Sequence, residues 1–151
     1  MTTAKTKNAR FGPRRVTERR GILGLEGGDP IQMARTVKTG FSYSRLARFQ
    51  RATRLSWESI SSLVGIPKRT IARRQSEGKL QPDESDRLFR ASALFEKAID
   101  LFEGDVPGAV RWLQTPQEAL GNQTPLELAS TDVGAREVEN LILRLEQGVF
   151  S

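Results

Sequence analysis

Apolar residues return along this chain at spacings of three and four, with polar residues filling the positions between them. That period marks helices with one buried face. Tyr43, Leu46, Phe49 and Thr53 form one such set, and Trp57, Ile60, Leu63 and Val64 form the next. Leu88, Ala91, Ser92, Phe95, Ile99 and Phe102 mark a long third segment. Val138, Leu141, Ile142, Leu145 and Val149 mark a fourth. No run of alternating β-branched residues interrupts them, so the pattern predicts an all-α fold.

Punctuation between the sets predicts where each helix starts and stops. Asp29-Pro30 reads as an N-cap with proline at the first helical position, and Gly40 closes a segment whose Ile31, Ala34 and Val37 share a face. Ser42 or Ser44 caps the next helix and Ser56 the one after. Gly65-Ile66-Pro67 is a tight turn with an apolar anchor, and Lys68 to Glu77 follows as a helix. Asp83, Glu84 and Asp86 suit the positive end of a long helix that Gly104 ends. Asp105 caps a shorter one running to Trp112-Leu113, where Trp112 is expected to be a core anchor. Thr124-Pro125-Leu126-Glu127 is a capping box, and a last helix opens near Thr131-Asp132. The long helix carries Leu88, Phe89, Leu94, Phe95, Leu101 and Phe102, more apolar area than one face of a monomer needs. It is therefore the expected surface of a homodimer.

Charge divides the chain more sharply than hydropathy does. The net charge is +6. Residues 1–40 hold 9 Lys/Arg and 3 Asp/Glu, residues 41–81 hold 9 and 2, and residues 82–151 hold 6 and 13. A basic front joined to an acidic back predicts two partners, one of them anionic and most simply nucleic acid. The chain has no Cys and no His, which removes thiol nucleophiles, imidazole bases and the usual Cys/His zinc sites. The carboxylates of the acidic half fall on helix starts and outer faces, and no Gly-rich phosphate loop is present. The expectation is a protein that is not an enzyme, with no cofactor and no metal site. With no apolar run near membrane length and no export signal, it is expected in the cytoplasm and off the membrane.

The basic part contains a recognisable arrangement. Two short helices joined through a Gly-containing turn, Ser56 to Gly78, have the helix-turn-helix pattern. In the second helix Ile71 and Ala72 are expected inward, while Lys68, Arg69, Thr70, Arg73, Arg74 and Gln75 are expected outward as the DNA-reading set. Arg can bond guanine in two places, Gln can bond adenine, and Thr can touch the thymine methyl. Arg45, Arg48, Arg51 and Arg54 lie three apart on the preceding helix, and Arg48 and Arg51 are expected on phosphates. Residues 1–21 form a basic arm, too poor in apolar residues to offset the entropy of ordering and suited to touching phosphates.

The residues Trp112-Leu113, Pro116, Leu120-Gly121, Thr124 to Leu128, Thr131, Gly134, Val138 and Leu145 to Phe150 together resemble the C-terminal toxin-binding domain of the Xre/MbcA/ParS antitoxins. Asn122 stands where many members have a second Gly, and Ala129 where many have a larger apolar residue. Residues 56–78 resemble the Xre-type helix-turn-helix of the same family, with Pro67 where many relatives carry Ser. The resemblance implies an arm over 1–21, a helix-turn-helix domain over 22–81, a connecting and dimerisation helix over 82–104 and a toxin-binding domain over 105–151. It further implies an antitoxin that binds a palindromic operator to regulate its own operon. The partner it implies is a cytosolic, NAD-consuming RES-domain toxin, whose active site the antitoxin's C-terminal end blocks. Toxin contact would then fall to Glu139, Glu146, Gly148, Val149, Phe150 and Ser151, with Phe150 as anchor and carboxylates against cations that hold pyrophosphate. Phe150 folded back over Leu145 and Leu141 is the other expectation, and a dimeric transcriptional regulator without a toxin is the other function.

Overall fold

A computed structural model of the protein describes residues 21–25 and 29–148; the basic arm of residues 1–20 and the terminal Val149, Phe150 and Ser151 lie outside the described residues. Among them the chain forms eight α-helices and a single 3-10 turn, with no strand beyond two isolated bridges. The helices are α1 (Pro30–Thr39), α2 (Tyr43–Thr53), α3 (Trp57–Val64), α4 (Lys68–Glu77), α5 (Pro82–Leu101), α6 (Val106–Leu113), α7 (Pro125–Leu128) and α8 (Asp132–Glu146). The 3-10 turn, Glu118–Leu120, leads into Gly121 and Asn122, both left-handed at φ 68° and 65°. Asn122 takes that conformation at little cost, because its short polar side chain tolerates the left-handed region.

The caps follow the sequence closely. The Asp29 carboxylate accepts from the Ile31 N–H at 3.0 Å, and Asp105 accepts from the Gly108 N–H at 3.0 Å. Thr124 and Glu127 form both halves of the capping box, at 3.0 and 3.1 Å. Thr131 Oγ1 accepts from the Gly134 N–H at 3.0 Å and starts α8. Ser42 differs: its hydroxyl pairs with that of Ser44 and leaves α2 without a side-chain cap.

Everything packs around α5. Its 20 residues span about 30 Å, and α1, α3, α6 and α8 all lie against it. Leu88, Ala91, Leu94, Phe95 and Ala98 are buried there, and Phe95 meets Phe49 of α2 edge-to-face with ring centroids 5.1 Å apart. One cluster of buried residues runs from Leu23 to Ile142. This corrects the expectation that α5 holds apolar surface in reserve for a dimer. Leu88, Leu94 and Phe95 are sealed within their own chain, and Phe89, Leu101 and Phe102 pack against the same core. A helix covered on two sides needs two apolar faces, and the second is consumed by α6 and α8. Trp112 is only half-buried, beside Phe102 at 6.2 Å, while its neighbour Leu113 is the fully enclosed anchor.

The face of α1 also differs from expectation. Met33 and Val37 dock on the core, whereas Ile31 is 64% exposed and Ala34 is exposed too. Ahead of α1, Leu23 plugs the core, and the turn around it is stapled twice. The Ile22 N–H donates to Glu96 Oε2 at 3.0 Å, and Arg45 Nη1 donates to the Leu23 carbonyl at 2.9 Å. Burial raises the Glu96 carboxyl above its ordinary range, with the Ile22 hydrogen bond opposing and the charge of Asp100 adding to the rise.

Candidate nucleic-acid interface and partner-binding face

The helix-turn-helix assembles as its sequence predicts. Ile60, Leu63 and Val64 anchor α3, and Gly65 closes it in the left-handed conformation at φ 67°. Ile66, 1% exposed, plugs the turn before α4 begins after Pro67. A non-glycine residue at Gly65 would be strained there and would crowd Arg87 Nε at 3.1 Å.

Only two residues of α4 are buried, Ile71 and Arg74. Lys68, Arg69, Arg73 and Gln75 are exposed as expected, and Thr70 is half-buried. Arg74 is a correction: it is 9% exposed and faces inward. Its Nε and Nη2 donate to the two oxygens of Glu84 at 2.8 and 2.9 Å, and Nη1 reaches Glu77 at 3.1 Å. It lies three residues past Ile71, on the helix face turned toward the start of α5, where Glu84 waits. Those bonds push the Arg74 pKa up, so the group stays cationic and neutralised rather than offered to DNA. Ala72 is the converse correction, exposed where it was expected inward. With Arg69, Arg73 and Ser76 it completes an outward stripe at spacings of three and four, the geometry a reading helix needs. A methyl between two arginines can approach a thymine methyl closely.

Lys68 is engaged on the surface, with Nζ 2.9 Å from Glu58. The Lys68 hydrogen bond holds the Glu58 carboxyl below its usual range. Such an exposed pair is weak and readily exchanged for a phosphate. On α2, which packs against α4, Arg48 and Arg51 are exposed, as is Arg54 at its C-cap, whereas Arg45 is half-buried and spent on Leu23.

Glu84 has a second task that the sequence did not announce. Its Oε1 accepts from the Gln81 N–H at 2.8 Å, capping α5 while it holds Arg74. Burial would raise its pKa, but the Arg74 and Gln81 hydrogen bonds outweigh that and hold the carboxyl below the ordinary range. A depressed pKa contributes stability that is whole above the unfolded-state value, about 4.3, and is lost as pH falls through the folded-state value. Glu84→Gln is therefore expected to lower stability near neutral pH by roughly 3–5 kcal/mol, the loss expected when one partner of a buried pair is removed. Denaturant midpoints measured against pH should show wild type and variant converging in acid. Parallel curves down to the most acidic pH would contradict this.

The acidic half presents a different surface. Val133 and Leu143 of α8 are 75% and 48% exposed, large apolar residues that the periodicity leaves off the buried face. The buried face itself is Val138, Leu141 and Ile142, with Leu145 half-buried. Glu139 is half-buried and 3.3 Å from Lys97 of α5, while Glu146 and Gly148 are exposed. Beside Glu139 a cavity of about 190 Å³ opens between α5 and α8, with Leu63, Phe89 and Leu94 in its lining. Arg90 and Arg136 converge on Asp132 at its rim. Among the described residues no helix is long and apolar enough to cross a membrane.

The two regions have separate counterparts among known proteins. Residues 32–91 match the antitoxin Xre-like helix-turn-helix domain, and residues 97–148 match the antitoxin Xre/MbcA/ParS C-terminal toxin-binding domain. An antitoxin Xre of Yersinia enterocolitica is 34% identical over 145 residues, 93% of this chain and 98% of its own length. One from Photorhabdus laumondii is 41% identical over 93 residues, covering 61% and 63% of the two chains. One from Pseudomonas putida is 37% identical over 84 residues, covering 55% and 52%.

Proposed function

The chain belongs to the Xre antitoxin family, and on that premise we propose that it neutralises a RES-domain, NAD-consuming toxin in the cytoplasm and represses its own operon. In this reading a homodimer presents two copies of α4 to a palindromic operator, with Arg69 and Arg73 on bases and Arg48 and Arg51 on phosphates. Two-fold symmetry in the protein then matches two-fold symmetry in the DNA. The C-terminal end enters the toxin's active site, Phe150 as the apolar anchor and Glu139, Glu146 and nearby carboxylate against the cations that hold pyrophosphate. The observation that supports it most is the division of surfaces. An outward cationic stripe on α4 sits in the basic half, and an exposed apolar pair on α8 sits in the acidic half.

Removal of Gly148 to Ser151 tests the toxin half. The truncated chain should fold and bind operator as before, but cells co-expressing the neighbouring toxin should lose NAD and stop growing. An aromatic anchor in a closed pocket is worth about 2 kcal/mol or more, roughly thirtyfold in affinity. Full protection of cellular NAD by the truncated chain at equal expression would refute active-site blocking by this end.

A further inference from the structure

Three side chains from the first two turns of α5 hold three different parts of the DNA-reading unit. Glu84 grips α4 itself through Arg74, at 2.8 and 2.9 Å. Ser85, fully buried, accepts from the Phe41 N–H at 2.8 Å and donates to the Gln81 carbonyl at 2.8 Å. That fixes the strip entering α2, which is itself bonded to the exit of α4: Tyr43 N–H to the Gly78 carbonyl at 3.0 Å, and Leu80 N–H to the Phe41 carbonyl at 2.8 Å. Arg87 donates from Nε to the Val64 carbonyl at 2.6 Å and from Nη2 to the Gly65 carbonyl at 3.3 Å, closing the end of α3 and its turn.

The bonds matter because α4 has so little else to orient it. Ile71 is its one buried apolar side chain. A helix seated on one apolar contact can roll about its axis. Side chains extend about 5–6 Å from that axis, so a roll of about 20° carries their ends roughly 2 Å. Base-reading hydrogen bonds tolerate only about 0.5 Å. Phosphate attraction, which depends on charge rather than register, would survive such a roll.

We infer that Arg74, Glu84 and Arg87 are positioning residues for operator discrimination. None reads DNA; together they set the angle at which Arg69 and Arg73 meet the base edges. The inference rests on the assignment of α4 as the reading helix. It also separates specificity from stability, since a buried ion pair replaced whole by uncharged groups often leaves stability unchanged.

The test uses the full chain, a duplex from upstream of its own gene and a random duplex of equal length. Arg74→Met combined with Glu84→Gln leaves the net charge unchanged and keeps an acceptor for the Gln81 N–H. The expected result is a folded protein whose affinity for the random duplex stays within about twofold, while the operator-to-random ratio falls tenfold or more. Arg74→Lys, which keeps the charge and part of the bonding, should recover part of that ratio. Arg87→Met, made at the solvent edge, should lower the ratio too and carries the test if the double variant does not fold. A folded double variant, or a folded Arg87→Met if that is the one that folds, with a ratio within twofold of wild type overturns the inference. Arg69→Ala serves as reference. If it cuts the ratio while the frame variants do not, positioning alone has failed. If it too leaves the ratio unchanged, the reading-helix assignment has failed and the inference with it.

Discussion

Alanine at Gly134 is expected to weaken toxin binding sharply while leaving operator binding in place. Gly134 lies in the first turn of α8, and a Cβ there would sit 1.9 Å from the Leu128 carbonyl oxygen and 2.7 Å from its carbon. Both are backbone atoms of α7, a single turn held at its start by the Thr124–Glu127 box. Neither can rotate aside as a flexible side chain would. The same Cβ would stand 3.0 Å from Thr131 Oγ1, the group that caps α8. Overpacking of this kind costs typically 1–3 kcal/mol, and loss of the cap adds about 1 kcal/mol. Alanine's better helix propensity returns at most about 1 kcal/mol. The net expectation is about 2 kcal/mol or more, concentrated at the α7–α8 corner, with α8 displaced by an ångström or so. Titration against toxin should show affinity lowered by roughly thirtyfold, and operator titration should match wild type. Unchanged toxin affinity would mean that the corner plays no part in the interface.

Phe95→Ala is expected to weaken both activities at once. Phe95 is 0% exposed at the middle of α5 and packs edge-to-face on Phe49. Truncating a buried Phe costs about 3–5 kcal/mol, and the ring pair contributes about 0.5–1.5 kcal/mol beyond area. Against a total stability of about 5–15 kcal/mol, that is about a quarter of the fold or more. Because one core cluster includes Leu46 and Ile60 of the basic half and Leu113 and Val138 of the acidic half, denaturation should remain a single transition at lower denaturant. Two resolved transitions would show that the halves have independent cores. The expected coupling has a plain cause: α5 packs against elements of both halves, and its Phe95 belongs to the cluster they share.

Much of this was legible in one dimension. Caps at Asp29, Ser56, Asp105, Thr124 and Thr131 are local hydrogen bonds between residues two or three apart, and the chain order alone specifies them. The apolar period placed the helices, and Asn122 is a residue type that accepts the left-handed turn it makes after Gly121. Gly134 could be matched as a motif residue, but the reason for it, the Leu128 carbonyl against its Cα, exists only once α7 and α8 have folded onto each other.

What the tertiary structure decided was the rotation of each helix about its own axis. On α4 the period of three and four allowed either Ala72 or Arg74 to turn inward, and hydropathy favoured Ala72. The reverse is true because Glu84, ten residues on, presents a carboxylate at that spot, and a buried carboxylate left without the Arg74 guanidinium would be an uncompensated charge. On α1 the docking pair is Met33 and Val37 rather than Ile31 and Ala34, and on α5 an apparent surplus of apolar residues is covered by α6 and α8. Spacing along a sequence fixes which residues share a face. Which face turns inward depends on groups brought near from elsewhere in the chain, and that information is in the fold.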